Sequence, residues 1–180
     1  MDIRPESADD HAAVRDVHLA AFGDHGRLVA GLVDGLRAAH GESAVGLVAA
    51  DGDEVVGHVL FTPGLLDAPR RLVEVAVLSP VAVCPPRQRQ GIGSALIRRG
   101  LDQLAERSPV VFLEGHPGYY GRFGFRAGAE LGFRKPSLRI PDDAFQALPM
   151  PSYEPWMTGT LVYSHVFWEH DAVGLREPAA

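Results

Sequence analysis

Between residues 72 and 114 the chain changes its hydrophobic period twice, and no other passage narrows the choice of folds so far. LVEVAVLSPVAV (72–83) is apolar and β-branched over strand length. After Cys84-Pro85-Pro86, the residues Ile92, Leu96, Leu101, Leu104 and Ala105 fall at helical spacing, which gives one helix face an apolar surface. Ser108-Pro109 stops that helix, and VVFLE (110–114) reads as a buried strand. Strand, helix, strand in this order implies a right-handed crossover between two parallel strands, and with it an α/β fold. Pro80 has no N–H to give to a ladder, so a bulge or local parting of the sheet is predicted there.

The remaining segments supply the rest of such a domain. DIRP reads as a short strand, and Pro5 with Ser7 marks a helix start. Val14, Val17, Ala21 and Phe22 line one face of this helix. Beyond the breaker Gly23-Asp24-His25-Gly26, Leu28, Val29, Leu32, Val33 and Leu36 line a second helix, which His40-Gly41 ends. Residues 44–50 and 54–62 are apolar runs joined by Asp51-Gly52-Asp53, a hairpin signal. Further on come a strand-like stretch at 125–134, a loop carrying Pro136, Pro141, Pro149, Pro151 and Pro155, and a last strand pattern, GTLVYSHVFW. With neither an internal repeat nor a linker, the reading is one domain over 1–170 and a flexible tail over 171–180.

Composition removes several classes. The 20 Gly and 14 Pro follow no G-X-Y period and alternate with apolar segments, so neither collagen nor low complexity applies. A net charge of −6 argues against nonspecific nucleic-acid binding. The longest apolar segment falls short of the ~20 residues that cross a bilayer, and the polar start MDIRPESADDH lacks a signal-peptide core. A cytoplasmic protein without membrane partners is expected. Cys84 is the single cysteine and cannot form an internal disulfide; a lone thiol at a strand end reads as a small hydrophobe. The eight histidines form neither His-x-His nor HExxH, so no metal is expected. GESAVG lacks the second glycine of a nucleophile elbow.

The sharpest local feature is Gln88-Arg89-Gln90-Gly91-Ile92-Gly93, between the strand and the helix. A helix N-terminus offers free N–H groups and partial positive charge to phosphate oxygens. Gly91 and Gly93 carry no side chain to block a close approach, and Arg87 and Arg89 add charge. The dinucleotide fingerprint would need glycine at Leu96, and no Gly-Lys-Ser/Thr follows as in a Walker A loop. On these residues alone, a ligand-free tight turn stays open.

Gln-x-x-Gly-x-Gly at 88–93, after a Val-rich strand and before a Leu-rich helix, resembles the acyl-CoA pyrophosphate loop of the GNAT N-acetyltransferases. Tyr120-Gly121-Arg122-Phe123-Gly124-Phe125 is similar to the Tyr-x-x-x-Gly-Phe near the end of that family's core. The order of elements follows the family from Asp2 to about Trp168, and the C-terminal pattern resembles a branch of small single-domain members. The resemblance implies a mixed central sheet, splayed between the fourth and fifth strands and flanked by helices.

It also implies roles. Backbone amides of Gln88, Arg89, Gln90, Gly91, Ile92 and Gly93 would hold the CoA pyrophosphate, with Ser94 as a further contact. The main chain from Val81 to Val83 would pair with the pantetheine amides. Tyr120 matches the tyrosine whose hydroxyl lies near the acyl-CoA sulfur, where a phenol gives the leaving thiolate a proton or a hydrogen bond. Glu74, Glu114, His116 and His58 are candidates for the base, with Glu74 on the central strand taken as its holder. Branch members more often carry Gly-Asp-Pro where this chain has Gly115-His116-Pro117, which leaves the part of His116 open. The implied activity is direct acetyl transfer from acetyl-CoA to a primary amine of a small molecule or peptide in a ternary complex. A homodimer is compatible with it. A non-catalytic acyl-CoA sensor and a nucleotide-binding α/β protein are the competing readings.

Overall fold

The computed structural model describes residues 1–174 and 176. They form two compact units, one of Met1–Thr62 with Leu78–Leu104, the other of Pro63–Val77 with the chain from Ala105 onward. The first unit holds β1 (Asp2–Pro5), α1 (His11–Phe22), α2 (Gly26–His40), β2 (Val45–Asp51), most of β3 (Glu54–Asp67), the end of β4 (Leu72–Val83) and α3 (Ile92–Leu104). β1 runs antiparallel to β2, and β2 antiparallel to β3. The predicted hairpin turns at Gly52, whose φ of +64° suits glycine. Its register slips between Ala49 and Ala50.

Glycines let the elements of this unit approach closely. A Cβ on Gly100 of α3 would lie 2.1 Å from Cε2 of Phe61, so the ring rests directly on the helix backbone. Gly57 of β3 meets Leu96 and Ile92 in the same way. Val14 and Val17 of α1 and Leu32, Val33 and Leu36 of α2 are buried as their spacing predicts, whereas Leu28 is exposed.

One polar chain runs through this apolar interior. His18 Nε2 and His58 Nδ1 share a 2.8 Å hydrogen bond, and both residues are fully buried. His58 Nε2 lies 3.5 Å from Glu6, which also pairs with Arg37. With Glu6 ionised, the consistent tautomers put a proton on His58 Nε2 and let His18 Nε2–H donate to His58 Nδ1. His18 Nδ1 then remains a buried acceptor without a hydrogen-bond partner.

The second unit adds β5 (Val110–Glu114), α4 (Pro117–Tyr120), β6 (Arg126–Ala127), β7 (Phe133–Arg134), β8 (Phe145–Pro149), β9 (Gly159–Val162) and α5 (His165–Glu169) to the remainder of β3 and β4. β4 pairs parallel with β5 at Ala76↔Val111 and Val77↔Phe112, the parallel pair that the strand–helix–strand order predicts. β5 pairs antiparallel with β8, β8 with β6, and the end of β3 with β9. β7 runs parallel to β9. The architecture is the expected mixed α/β one.

Several elements differ from the sequence reading. β4 runs through Pro80 as one strand, while its register with β5 stops at Val77↔Phe112, before the proline, as the predicted parting requires. β3 continues to Asp67, because Leu65–Asp67 gain β9 as a partner. The stretch 125–134 is not one strand but two short ones around a 3-10 turn at Gly128–Leu131, closed by left-handed Gly132. The proline-rich loop contains β8, paired along its length with β5. GTLVYSHVFW breaks after Val162, and its second half is α5, which buries Val166 and Phe167. Of the expected tail, Val173 is fully buried and the Gly174 N–H donates to Glu114 Oε2 at 3.1 Å. Residues 175 and 177–180 of that tail lie outside the described residues.

Candidate functional site

In the first unit, the loop between β4 and α3 is tied at its root by the Cys84 N–H, which donates to the Val56 carbonyl at 2.9 Å. Pro85–Arg87 make one 3-10 turn, and Arg87 is held by Asp51. The two glutamines of the motif turn back on their own loop. Gln88 Nε2 donates to the Val83 carbonyl at 3.0 Å and Gln90 Nε2 to the Pro86 carbonyl at 3.2 Å. Arg89 and Gly91 both adopt positive φ, +60° and +84°. For arginine this conformation carries strain of order 1 kcal/mol or more, and nothing in the residue pattern signals it. A Cβ on Gly91 would meet no atom within 4 Å, so the space beside its backbone is open.

Ala95 makes the first backbone closure of the helix, its N–H donating to the Gly91 carbonyl at 2.9 Å. The N–H groups of Ile92, Gly93 and Ser94 precede that closure, in the turn where helix amides lack intrahelical partners. Arg89 is exposed and makes no ion pair among the described residues. Open backbone, unclosed amides, the positive end of a helix and a free guanidinium together fit a phosphate group. Val81 and Val83 are half-buried on the preceding strand, and the Val83 carbonyl is already taken by Gln88.

In the second unit, Tyr120 closes α4. His116 caps that turn, its Nδ1 accepting the Gly118 N–H at 3.1 Å, and the Tyr120 N–H donates to the His116 carbonyl at 3.2 Å. The Tyr120 ring packs edge-on against Tyr119 and Phe125, and left-handed Gly124, φ +94°, ends the motif. Burial, with a smaller contribution from Tyr119, pushes the phenol up to about 12. The hydroxyl therefore stays protonated at every ordinary pH. Among the described residues it has no hydrogen-bond partner, which leaves it free to donate. Arg122 lies over the Tyr119 ring at 4.7 Å, so Tyr119 is occupied in packing.

The base candidates separate by environment. His58 is sealed in the first unit and bonded to His18. Glu114 is half-buried, and burial raises its pKa; it accepts from the Tyr163 hydroxyl at 2.8 Å and from the Gly174 N–H. His116 is exposed with Nδ1 engaged. Glu74 is exposed on β4. The Cys84 thiol is pushed up by burial, opposite to what an activated nucleophile needs. Among the described residues no group of three His, Cys, Asp or Glu side chains could hold a metal, and no helix is long and apolar enough to cross a membrane.

Known proteins are similar to this chain. A family model described as an acetyltransferase (GNAT) domain matches residues 2–128. An uncharacterized N-acetyltransferase of Escherichia coli K12, YjhQ, is 36% identical over 142 residues, 74% of each chain. The crystal structure of the GNAT family N-acetyltransferase YhbS from Escherichia coli in complex with CoA matches with a TM-score of 0.81 and 29% identity, covering 92% of this chain and 91% of that one. A GNAT family acetyltransferase from Brucella melitensis in complex with acetyl-CoA matches at 0.73 and 34% identity, covering 92% and 97%. The chain belongs to the GNAT acetyltransferase family.

Proposed function

We propose that this protein transfers an acetyl group from acetyl-CoA directly to a primary amine. The observation that carries the reading is the β4–loop–α3 passage, with open backbone at Gly91 and unclosed amides at Ile92, Gly93 and Ser94. Similar proteins were crystallised with CoA and acetyl-CoA, which supports that choice of ligand. The amides from Gln88 to Ser94 and the Arg89 guanidinium bind the pyrophosphate. The main chain at Val81 and Val83 accompanies the pantetheine.

The amine nitrogen attacks the thioester carbonyl carbon, the C–S bond breaks, and the amine loses a proton to Glu74, directly or through water. The likeness of its motif to the family tyrosine assigns Tyr120 to the departing sulfur. With a phenol near 12 and a thiol near 8.5, full proton transfer is uphill by about 5 kcal/mol. Tyr120 therefore stabilises the thiolate as a hydrogen-bond donor, and the thiolate takes its proton later, from solvent.

Calorimetry with acetyl-CoA tests the ligand, and release of free thiol across a panel of small and peptide amines tests transfer. Tyr120→Phe is expected to lower kcat by about 10²-fold, the usual effect of losing one donor to developing negative charge, with little change in acetyl-CoA affinity. Unchanged kcat would remove Tyr120 from this role. The exposed position of Glu74 and the engaged oxygens of Glu114 favour, as a second reading, an acyl-CoA sensor. Tight binding without thiol release from any amine would select it.

A further inference from the structure

Gly115 follows the last residue of β5, and a Cβ placed on it would lie 2.3 Å from Cε2, 2.8 Å from Cδ2 and 3.2 Å from Cζ of Tyr120. Its φ is not in the left-handed region, so glycine is needed here for space and not for dihedral freedom. The Tyr120 ring lies directly against bare backbone. That backbone is pinned from both sides. The Gly115 N–H donates to the Ala144 carbonyl at 2.9 Å, and the Gly115 carbonyl accepts from Gln146 Nε2 at 2.8 Å.

Gln146 is itself an anomaly that calls for a reason. It sits on β8, opposite Leu113 of β5 and Ala127 of β6, and is 1% exposed. An amide side chain in that position must be hydrogen-bonded to be tolerated. The register pairs of β5 and β8 end at Glu114↔Phe145. Beyond that pair the Gly115 N–H still reaches the Ala144 carbonyl, and the Gln146 side chain adds the donor that holds the Gly115 carbonyl. The turn from His116 to Tyr120 then starts from a fixed point, closed by the His116 cap.

We propose that Gln146 and Gly115 are positioning residues for Tyr120. Gln146 fixes the Gly115 peptide, and that peptide is the seat that sets where the phenol ring, and so its hydroxyl, stands. The inference rests on the reading of Tyr120 as hydrogen-bond donor to the leaving sulfur. To reach an ordinary contact of 3.4 Å, a methyl at residue 115 must displace the ring by about 1 Å, and a misplacement of that size lowers rate by about 10²-fold.

The test compares Gly115→Ala and Gln146→Met, each in the wild-type and Tyr120→Phe backgrounds. Methionine keeps the length of glutamine without its donor, so Gln146→Met is the gentler variant if Gly115→Ala folds poorly. In the wild-type background kcat should fall by about 10²-fold for Gly115→Ala and about 10-fold for Gln146→Met, with KM for acetyl-CoA unchanged. In the Tyr120→Phe background, which keeps the ring and lacks the hydroxyl, neither should lower kcat further. If Tyr120→Phe lowers kcat but Gln146→Met does not, or if Gln146→Met costs the same in both backgrounds, the positioning role is overturned. If Tyr120→Phe leaves kcat unchanged, the role of Tyr120 fails first, and the inference with it.

Discussion

Acidification should destabilise the first unit through His18, well before ordinary carboxylates titrate. The ring is fully buried, its Nδ1 has no partner, and burial, reinforced by the charges of His58 and Arg37, pushes its pKa from 6.5 down to about 3. Glu6 alone opposes the shift. In the unfolded chain His18 titrates near 6.5. Below that pH the unfolded state binds a proton that the folded state refuses, so stability is complete above pH 6.5 and drains away as pH falls toward 3. A gap of about 3.5 in pKa, at 1.36 kcal/mol each, amounts to about 5 kcal/mol in full. At pH 5 the same linkage gives a loss of about 2 kcal/mol.

His58 is shifted the same way, by burial first, with Glu6 opposing and Arg37 and His11 adding to the shift. Burial pushes Glu6 up most strongly as a single influence. Its hydrogen bonds and charge interactions with His58 and Arg37 outweigh this, and its pKa falls to about 2. The salt-bridged carboxylate therefore keeps its contribution down to lower pH than the histidines do. Urea unfolding followed by circular dichroism at pH 8, 6 and 5, at constant ionic strength, measures the effect. In His18→Gln the amide can still donate to His58 Nδ1, but residue 18 no longer titrates. Its difference in unfolding free energy between pH 8 and pH 5 should be about 2 kcal/mol smaller than that of the wild type. An equal difference in the two proteins would refute the reasoning.

Gly100→Ala should lower the thermal midpoint, because overpacking against Phe61 costs about 1–3 kcal/mol, more than the roughly 1 kcal/mol that alanine gains in a helix. A raised midpoint would show that the ring moves aside freely. Gly91→Val should weaken acetyl-CoA binding about 10-fold or more, through backbone strain at φ +84° and loss of the open approach. Wild-type affinity in calorimetry would contradict the loop assignment.

How much of this could be read from residues alone depended on whether an element's partners were local. The bounds of β4 were legible because most of its residues are apolar, many of them β-branched. The extension of β3 past Pro63 was not, since β9, which pairs with Leu65–Asp67, lies about a hundred residues later. β8 hid between Pro141 and Pro149, which punctuate like a loop while Phe145, Gln146 and Ala147 are buried. In α5, Val166, Phe167 and Trp168 have strand-like propensity, and tertiary packing overrides it. The glycine loop and the tyrosine turn were legible because each is a contiguous run. The meeting of His18 with His58, and of Gln146 with Gly115, spans 40 and 31 residues. Only the folded register brings those pairs together.

The close contact between Phe61 and Gly100 also imposes an order on change. A larger residue at 100 cannot come first, because the ring already occupies its place. A smaller residue at 61 can come first, but it leaves a void under α3 until position 100 fills it. Neighbouring sequences and engineered libraries should therefore treat the two as one reciprocal unit, small with large or the reverse. A search that varies each independently will discard most of the combinations it makes.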